Sequence, residues 1–310
     1  MISCRLPATD WDDRHTARSR LVSPAPSSVS RGRHIRKILT GALVVMPGVA
    51  GLAAGTPPAV AAATAPPGYH IVRTADITAP PSILDTTGQA NCPAGTVPWG
   101  GGASFDNGFA AVGVSLETSE PVTGGWRARV NNATGAAQTF RVDVICANTP
   151  KGYRIVFVGA DNPPHADTPA TVSCPTGTVV LSGGAFSTSD TTANLLTSVG
   201  PLGPHRFTAS MANTSNVDQQ VTTFAVCGAK PAKYAIVSQS ETDMGVDDPA
   251  LTPVCPTGTS VLGGGLQVVS PGFDIAIAGS LDEDRHGWFG EAVNQRAGAT
   301  TFTSQAICAA

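Results

Sequence analysis

The chain has 310 residues, of which 34 are glycine and 25 are proline, and only 13% are charged. From residue 65 onward, 11 Lys and Arg stand against 19 Asp and Glu, which leaves a net charge of −8. A nucleic-acid partner is therefore not expected, because neutralising phosphates requires a basic face. The abundance of glycine and proline, with no helical periodicity beyond the N-terminal region, predicts an all-β fold.

Residues 1–64 are predicted to be an N-terminal extension and a secretory signal peptide. A basic region lies at residues 31–37, an apolar stretch follows at 38–54, and a cleavage pattern is formed by Ala59, Ala61 and Ala63. The alternative, a retained membrane anchor, is weaker because glycine and proline interrupt a stretch that is too short to span. We expect a secreted, extracellular protein without a membrane span in the mature chain, whose true start is Val22 or Val29.

The remaining chain is a threefold repeat with a period near 81 residues, and its units are predicted at 65–150, 151–231 and 232–310. Each unit begins with Y-x-I-V and continues with C-P-x-G-T, a glycine pair, an aromatic residue, an asparagine and a closing cysteine. The tyrosines are Tyr69, Tyr153 and Tyr234. The buried-type aromatics are Trp126, Phe207 and Trp288, and the asparagines are Asn132, Asn213 and Asn294.

Six cysteines stand at a common spacing, and we predict one disulfide per repeat because similar units should fold alike. The predicted bonds are Cys92–Cys146, Cys174–Cys227 and Cys255–Cys308. Closing a loop of that length stabilises a unit by about 4 kcal/mol in the chain-entropy model, and disulfides fit export to an oxidising compartment. A metal site is the alternative, but no C-x-x-C is present and no histidine recurs beside the cysteines. No metal or cofactor is expected.

Each repeat is predicted to hold about six short strands in an antiparallel β-sandwich-like unit. In residues 140–146, apolar residues alternate with Arg141 and Asp143, which predicts a strand with one buried and one solvated face. The third repeat follows the same alternation, whereas Phe224 departs from it on the solvated face. The six-residue, proline-containing linkers fix the relative pose of the units. They allow either a rod or a pseudo-threefold ring.

Three recurring features are predicted to be structural. The glycine pairs should mark a bulge or a close approach of another backbone, because a phosphate cradle would need a helix after them. The recurring aromatics should be core residues. The asparagines should initiate turns before the closing strand, although Asn132 and Asn213 also match a glycosylation sequon.

Candidate ligand-binding residues are Phe109, Phe273 and Asp274, which lie in the least repetitive part of the units. Aromatics on turns between polar residues can stack on sugars or anchor a partner. The alternative is that both phenylalanines begin buried strands. The divergent segments 103–125, 185–206 and 266–287 suit multivalent recognition on a repeated scaffold.

No catalytic residue is predicted, because the repeats share no set of titratable groups at a common motif position. Two histidines have neighbouring carboxylates: His165 near Asp161 and Asp167, and His286 near Asp282 and Asp284. The acidic runs at 282–284 and at Asp243, Asp247 and Asp248 lack the ligand register of a known calcium loop, so solvated turns are favoured.

The C-P-x-G-T strings, glycine pairs and closing A-I-C-A of residues 69–310 resemble tandem repeats in secreted actinobacterial proteins. That resemblance implies an exported, disulfide-bonded β protein and carries no activity. At fold level the units are also loosely similar to H-type lectin domains. We therefore expect a non-enzymatic extracellular protein that binds a glycan or a partner protein. The alternatives are a structural coat or matrix component and, less favoured, a secreted hydrolase.

Overall fold

A computed structural model describes residues 65–105, 113–188, 193–243, 249–269, 271–296 and 298–310. These residues form nineteen β-strands, all paired antiparallel. Repeat 1 contributes β1 (His70–Arg73), β2 (Ile77–Ala79), β3 (Ile83–Asn91), β4 (Val97–Phe105), β5 (Val114–Val122), β6 (Gly125–Asn132) and β7 (Gln138–Ala147). Repeat 2 contributes β8 (Arg154–Asn162), β9 (Asp167–Ser173), β10 (Val179–Ser187), β11 (Asn194–Pro201), β12 (Arg206–Asn213) and β13 (Gln219–Gly228). Repeat 3 contributes β14 (Ala235–Asp243), β15 (Ala250–Leu251), β16 (Ser260–Val268), β17 (Ile275–Glu283), β18 (Gly287–Asn294) and β19 (Thr300–Ala309). The predicted all-β repeat fold is confirmed.

The strands form three sheets, and each sheet is shared between two repeats. Sheet 1/2 has the order β3-β6-β5-β10-β13-β8, so its first three strands come from repeat 1 and the others from repeat 2. Sheet 2/3 has the order β14-β19-β16-β11-β12-β9, and sheet 1/3 has the order β1-β7-β4-β17-β18-β15, with β2 also paired to β7. Every repeat therefore divides its strands between two sheets.

This division makes the described chain a closed ring with pseudo-threefold symmetry, which answers the question that the linkers left open. The central strands β4, β10 and β16 approach one another in pairs, and so do β5, β11 and β17. Repeat 3 meets repeat 1 through sheet 1/3, where Ser280 pairs with Ala103. In a rod, the two end repeats would each leave a half-sheet with an unpaired edge, so the closed arrangement satisfies more backbone hydrogen bonds.

The three disulfides are the predicted ones: Cys92–Cys146, Cys174–Cys227 and Cys255–Cys308. Each cysteine that closes a repeat is fully buried, at the end of the strand that lies between an edge strand and the central strand of its half-sheet. The cross-links therefore join the start of a repeat to its last strand, within one repeat in every case.

The glycine pairs serve two different contacts. A Cβ on the first glycine would collide with the buried aromatic of its repeat, at 2.5 Å from Trp126 for Gly101. A Cβ on the second would collide with the backbone of the neighbouring repeat, at 1.7 Å from the carbonyl oxygen of Ser280 for Gly102. The equivalent pairs in repeats 2 and 3 show the same two contacts, and a bulge precedes each pair. Both predicted roles of the glycines are confirmed.

The recurring aromatics are buried core residues, as predicted. The indole N–H of Trp126 donates to Ser119 Oγ at 2.9 Å, and that of Trp288 donates to Ser280 Oγ at 3.0 Å. Repeat 2 has Phe207 at this position, and Val199 replaces the serine. The aromatic and its neighbour thus change together, because a buried indole N–H needs an acceptor and a phenyl ring does not.

Each tyrosine joins its repeat to the preceding one around the ring. Tyr153 donates its hydroxyl to the carbonyl of Pro98 in repeat 1, at 2.8 Å, and Tyr234 donates to Val180 in repeat 2, at 2.7 Å. Tyr69 of repeat 1 donates to Val261 of repeat 3 at 2.8 Å, and so completes the cycle. Burial raises the pKa of all three hydroxyls, so they remain protonated donors.

The asparagines initiate turns, as predicted, because Oδ1 of Asn132, Asn213 and Asn294 accepts the backbone N–H two residues later. All three are buried, which places the two sequon asparagines in the core of the fold. The closing strand corrects one prediction. Asp143, expected on a solvated face, is fully buried because Arg73, Arg141 and a neighbouring carboxyl cover it.

Candidate ligand-binding surface

Three equivalent positions recur at each junction between repeats. Their side chains differ in charge and polarity from one junction to the next. The positions are the fourth residue after the tyrosine, the third before the closing cysteine, and the residue paired with the buried aromatic. In sheet 1/3 they are charged: Arg73, Asp143 and Asp282. In sheet 1/2 they are apolar: Phe157, Phe224 and Pro121. In sheet 2/3 they are uncharged and mostly polar: Ser238, Gln305 and Pro201.

The charged cluster in sheet 1/3 is a buried acid pair covered by one guanidinium. Arg73 donates to Asp143 and Asp282 at 3.0 Å each, and to the exposed Asp284 at 3.0 Å. Burial raises the pKa of Asp282 to about 7, and the neighbouring Asp143 adds to that rise against the opposing effect of Arg73. Burial also raises the pKa of Asp143. The Oδ1 atoms of both carboxyls are buried and have no hydrogen-bond partner among the described residues. The side-chain interaction with Asp143 also favours the protonated form of Asp282.

This cluster borders an open groove, but neither Asp143 nor Asp282 lines that groove. The groove has a volume of about 300 Å³ and is lined by His70, Ile71, Arg73, Asp284 and Arg285. Both members of the acid pair are buried beneath Arg73. Within the described ranges, no three His, Cys, Asp or Glu residues are arranged to hold a metal ion. The expected solvated turn is wrong for Asp282, which pairs with the buried strand residue Trp288, whereas Glu283 and Asp284 are exposed.

The outward side of sheet 2/3 carries an array of hydroxyl and amide groups, which we call the hydroxyl face. Its members are Ser238, Ser240, Thr242, Thr301, Thr303, Gln305, Gln267, Thr208 and Thr171. All nine are exposed or half-exposed. They alternate with inward residues such as Phe302, Ser304 and Ala306, which are buried as the sequence predicted. The face spans both halves of the sheet.

The hydroxyls of this face are paired across strands. Ser240 and Thr303 lie 2.9 Å apart through their hydroxyl oxygens, Thr242 and Thr301 lie 3.0 Å apart, and Thr171 and Thr208 lie 2.9 Å apart. A hydroxyl pair uses one of its two protons, so each pair keeps donor and acceptor capacity for a ligand. Neighbouring strands lie about 4.8 Å apart and outward residues repeat about every 6.8 Å along a strand, so the groups form a regular array.

One end of the hydroxyl face opens into a groove with a volume of about 340 Å³. Gln305 lines both, and the groove is completed by Gly203, Pro204, Lys230, Tyr234, Ala235 and Ile236. The Oε1 atom of Gln305 has no hydrogen-bond partner among the described residues. That oxygen is buried, next to Gly200, so it does not itself face the groove.

The predicted ligand residues lie elsewhere. Phe273 and Asp274 are exposed in the turn between β16 and β17, where the carbonyl of Asp274 accepts the N–H of Gln295 at 2.8 Å. Phe109, like Asp247 and Asp248, lies outside the described residues. The structure does not bring Phe273 or Asp274 into either groove lining, so their role in ligand binding stays a prediction.

The two histidines with neighbouring carboxylates are in exposed turns. His165 contacts the side chain of Asn216 at 2.9 Å, and His286 lies in the β17–β18 hairpin. The hairpin position of His286 has a structural role, because its carbonyl accepts the N–H of Cys255, as that of His205 accepts Cys174 and that of Gly124 accepts Cys92.

No family model matches this chain, and no curated protein matches it. Among the described residues there is also no helix long and apolar enough to cross a membrane. The hydroxyl face was not predicted from the sequence, although Ser and Thr alternate with other residues at 238–242 and 301–303. Those runs identify outward positions, but only the sheet order shows that they lie side by side.

Proposed function

We propose that the protein is a secreted, non-enzymatic binding protein that recognises neutral polysaccharide through the hydroxyl face. The observation that carries the proposal is the composition of that face. On β14, β19 and β16 the outward positions of this face hold Ser, Thr, Gln, Gly and Ile, with no charged side chain, whereas β12 and β9 add Arg206 and Asp167. This is notable in a repeat that has three Lys and Arg but nine Asp and Glu from residue 232 onward.

Hydroxyl and amide groups match the chemistry of a sugar polymer, since each donates and accepts hydrogen bonds as a sugar hydroxyl does. Paired hydroxyls held on a sheet lose little side-chain entropy on binding, because their rotamers are already restricted. A highly charged polymer would find few ionic partners here, because β14, β19 and β16 present no charged side chain on this face. The face is also broad, which suits an extended ligand.

The test compares two equivalent positions, Thr303 on the hydroxyl face and Thr222 on sheet 1/2. Repeat 1 has Arg141 at this position, five residues before the closing cysteine, so the backbone accommodates an arginine there. We expect Thr303→Arg to lower the affinity for insoluble neutral polysaccharides at least tenfold, and Thr222→Arg to leave it unchanged. Binding is measured by depletion from solution onto a panel of neutral and charged polysaccharides.

Two results would overturn the proposal. The first is no retention of the native protein on any neutral polysaccharide. The second is an equal loss of binding in both variants, which would show that the hydroxyl face is not the contact surface.

A further inference from the structure

We propose that a cavity on the pseudo-threefold axis binds a small, uncharged, mostly apolar molecule that carries a hydrogen-bond acceptor. The cavity has a volume of about 180 Å³ and lies where β5, β11 and β17 approach one another. Each of these strands lines it with one equivalent position, which is Ser115 in repeat 1, Leu195 in repeat 2 and Ala276 in repeat 3. None of the residues that line the cavity belongs to the hydroxyl face.

The walls of the cavity set the size and the polarity of its ligand. Val114 and Val293 are buried in the wall beside Leu195 and Ala276, and none of the described residues that line the cavity is charged. An engineered apolar cavity of about 150 Å³ holds benzene. A six-membered ring with a small neutral substituent therefore matches the space.

The rim of the cavity is held by the backbone. Ala133 and Gln295 are exposed at the rim, and their N–H groups donate to the carbonyls of Gly113 and Asp274, at 2.8 Å each. These bonds tie each turn to the start of the neighbouring strand. The cavity is therefore formed before a ligand arrives, and binding requires little ordering of the chain.

One polar side chain in the wall, Asn131, has a donor that the described chain does not use. Asn131 is 1% exposed, and its Oδ1 accepts the N–H of Asp85 on β3 at 3.2 Å. Its Nδ2 has no hydrogen-bond partner among the described residues. Strand β6 lies between β3 and β5, and Asn131 pairs with Ser115 on β5. Because the oxygen and nitrogen of a planar amide point to opposite sides, an oxygen held from β3 directs the nitrogen toward β5 and the cavity.

The other repeats show that the fold does not need an amide at this position. The residues equivalent to Asn131 are Ala212 in repeat 2 and Val293 in repeat 3. The bond to β3 accounts for the oxygen of Asn131 but not for its nitrogen, and an unpaired buried N–H destabilises a fold. An acceptor on a bound molecule accounts for the nitrogen.

The experiment uses two probes of the same shape, acetophenone and α-methylstyrene, of which only the ketone has an acceptor. Each is titrated into the full chain, with its three disulfides intact, and binding is followed by two-dimensional NMR of the backbone and side-chain amides. We expect acetophenone to bind about fivefold more tightly, as one hydrogen bond provides, and to shift the side-chain amide signal of Asn131. Binding of neither probe at millimolar concentration would overturn the proposal, and so would equal affinity for both.

Two variants locate the site, and each copies a residue of another repeat. Asn131→Val copies Val293 and should remove the preference for the ketone while α-methylstyrene still binds. Ala276→Leu copies Leu195 and should weaken binding of both probes by about tenfold, because it takes space that the ligand needs. It also keeps the test decisive if Asn131→Val does not fold.

The control is Thr303→Arg on the hydroxyl face, which should leave the affinity for both probes unchanged. The cavity is thereby tested independently of polysaccharide binding. A preference for the ketone that survives Asn131→Val would contradict the assignment of Nδ2 as the donor. Undiminished binding in Ala276→Leu would show that the probes bind elsewhere.

Discussion

At the scale of single residues, the three repeats act as natural variants of one another. The core pair Trp126 with Ser119 recurs as Trp288 with Ser280, while repeat 2 uses Phe207 with Val199. Both solutions leave no polar group of the pair unsatisfied. A mixed solution would leave either a buried indole N–H or a buried hydroxyl without a partner, at a cost of about 1–3 kcal/mol.

This pairing predicts a strong coupling between Trp126 and Ser119. Ser119→Val alone should destabilise the fold by about 1–3 kcal/mol, because it leaves the indole N–H unpaired. The double change Trp126→Phe with Ser119→Val should cost less than the two single changes added together, by at least about 1 kcal/mol. Chemical denaturation of all four proteins gives the coupling. Additivity of the single changes within about 0.5 kcal/mol would show that the hydrogen bond is not the reason for the co-occurrence.

At the scale of elements, the contact between repeats 1 and 3 differs from the other two. Repeats 1 and 2, and repeats 2 and 3, are joined by the chain at 148–152 and 229–233, whereas β4 and β17 meet without such a linker. This junction holds Arg73 with the acid pair Asp143 and Asp282. A set of charges buried between β1, β7 and β17 thus supports the one junction that no linker joins.

The acid pair predicts a stability that depends on pH in a defined direction. The pKa of Asp282 rises from its usual 3.8 to about 7 in the fold, so folding favours its protonated form. The stabilisation is complete below pH 3.8 and is lost as the pH rises through about 7. One unit of pKa corresponds to about 1.4 kcal/mol, so the free energy of unfolding should fall by roughly 2–4 kcal/mol across this range. Urea denaturation at a series of pH values measures it.

Matched variants separate the acid pair from the rest of the cluster. Asp282→Asn should flatten this part of the pH profile, because the amide stays neutral and can still donate to Asp143. Asp284→Asn removes an exposed carboxylate from the same Arg73, and its profile should follow that of the native protein. A native profile with constant stability between pH 4 and 7 would refute the raised pKa of Asp282.

At the scale of the whole molecule, the ring predicts that the chain can be cut at a linker and rejoined elsewhere. Joining Ala310 directly to Ala65 gives a segment of the same length and proline position as the linker from Ala147 to Tyr153. Ala310 and Pro66 line one cavity together with residues of both natural linkers, so the two ends lie at the same end of the ring. A permutant beginning at residue 151 and ending at 150 should fold with the same three disulfides.

We expect cooperative unfolding, with a free energy of unfolding within about 2 kcal/mol of that of the native chain. The reason is that the new connection spans a junction whose two sides are already held together, for example by the hydrogen bond from Tyr69 to Val261. A single excised repeat, 65–150, is the contrasting case and should not fold, since its two half-sheets would lack their partner strands. An excised repeat with native-like strand content and stability would contradict the shared-sheet architecture. Circular dichroism and disulfide mapping distinguish these outcomes.

The sequence by itself determined the features that recur at fixed offsets. The disulfides, the buried aromatics, the asparagine turns and the glycine contacts each follow from local spacing, because every repeat must satisfy the same bonds and the same close packing. The alternation of residues in the closing strand also predicted its inward residues, of which Phe302 is an example.

Only the tertiary structure decided how the repeats combine. The division of each repeat between two sheets depends on strand pairings between residues far apart in the chain, such as Val199 with Leu266, and no local pattern encodes them. The burial of Asp143 and the composition of the hydroxyl face both follow from that division. They arise where strands of different repeats or sheets meet, so their chemistry is set by neighbours in space that the sequence does not place side by side.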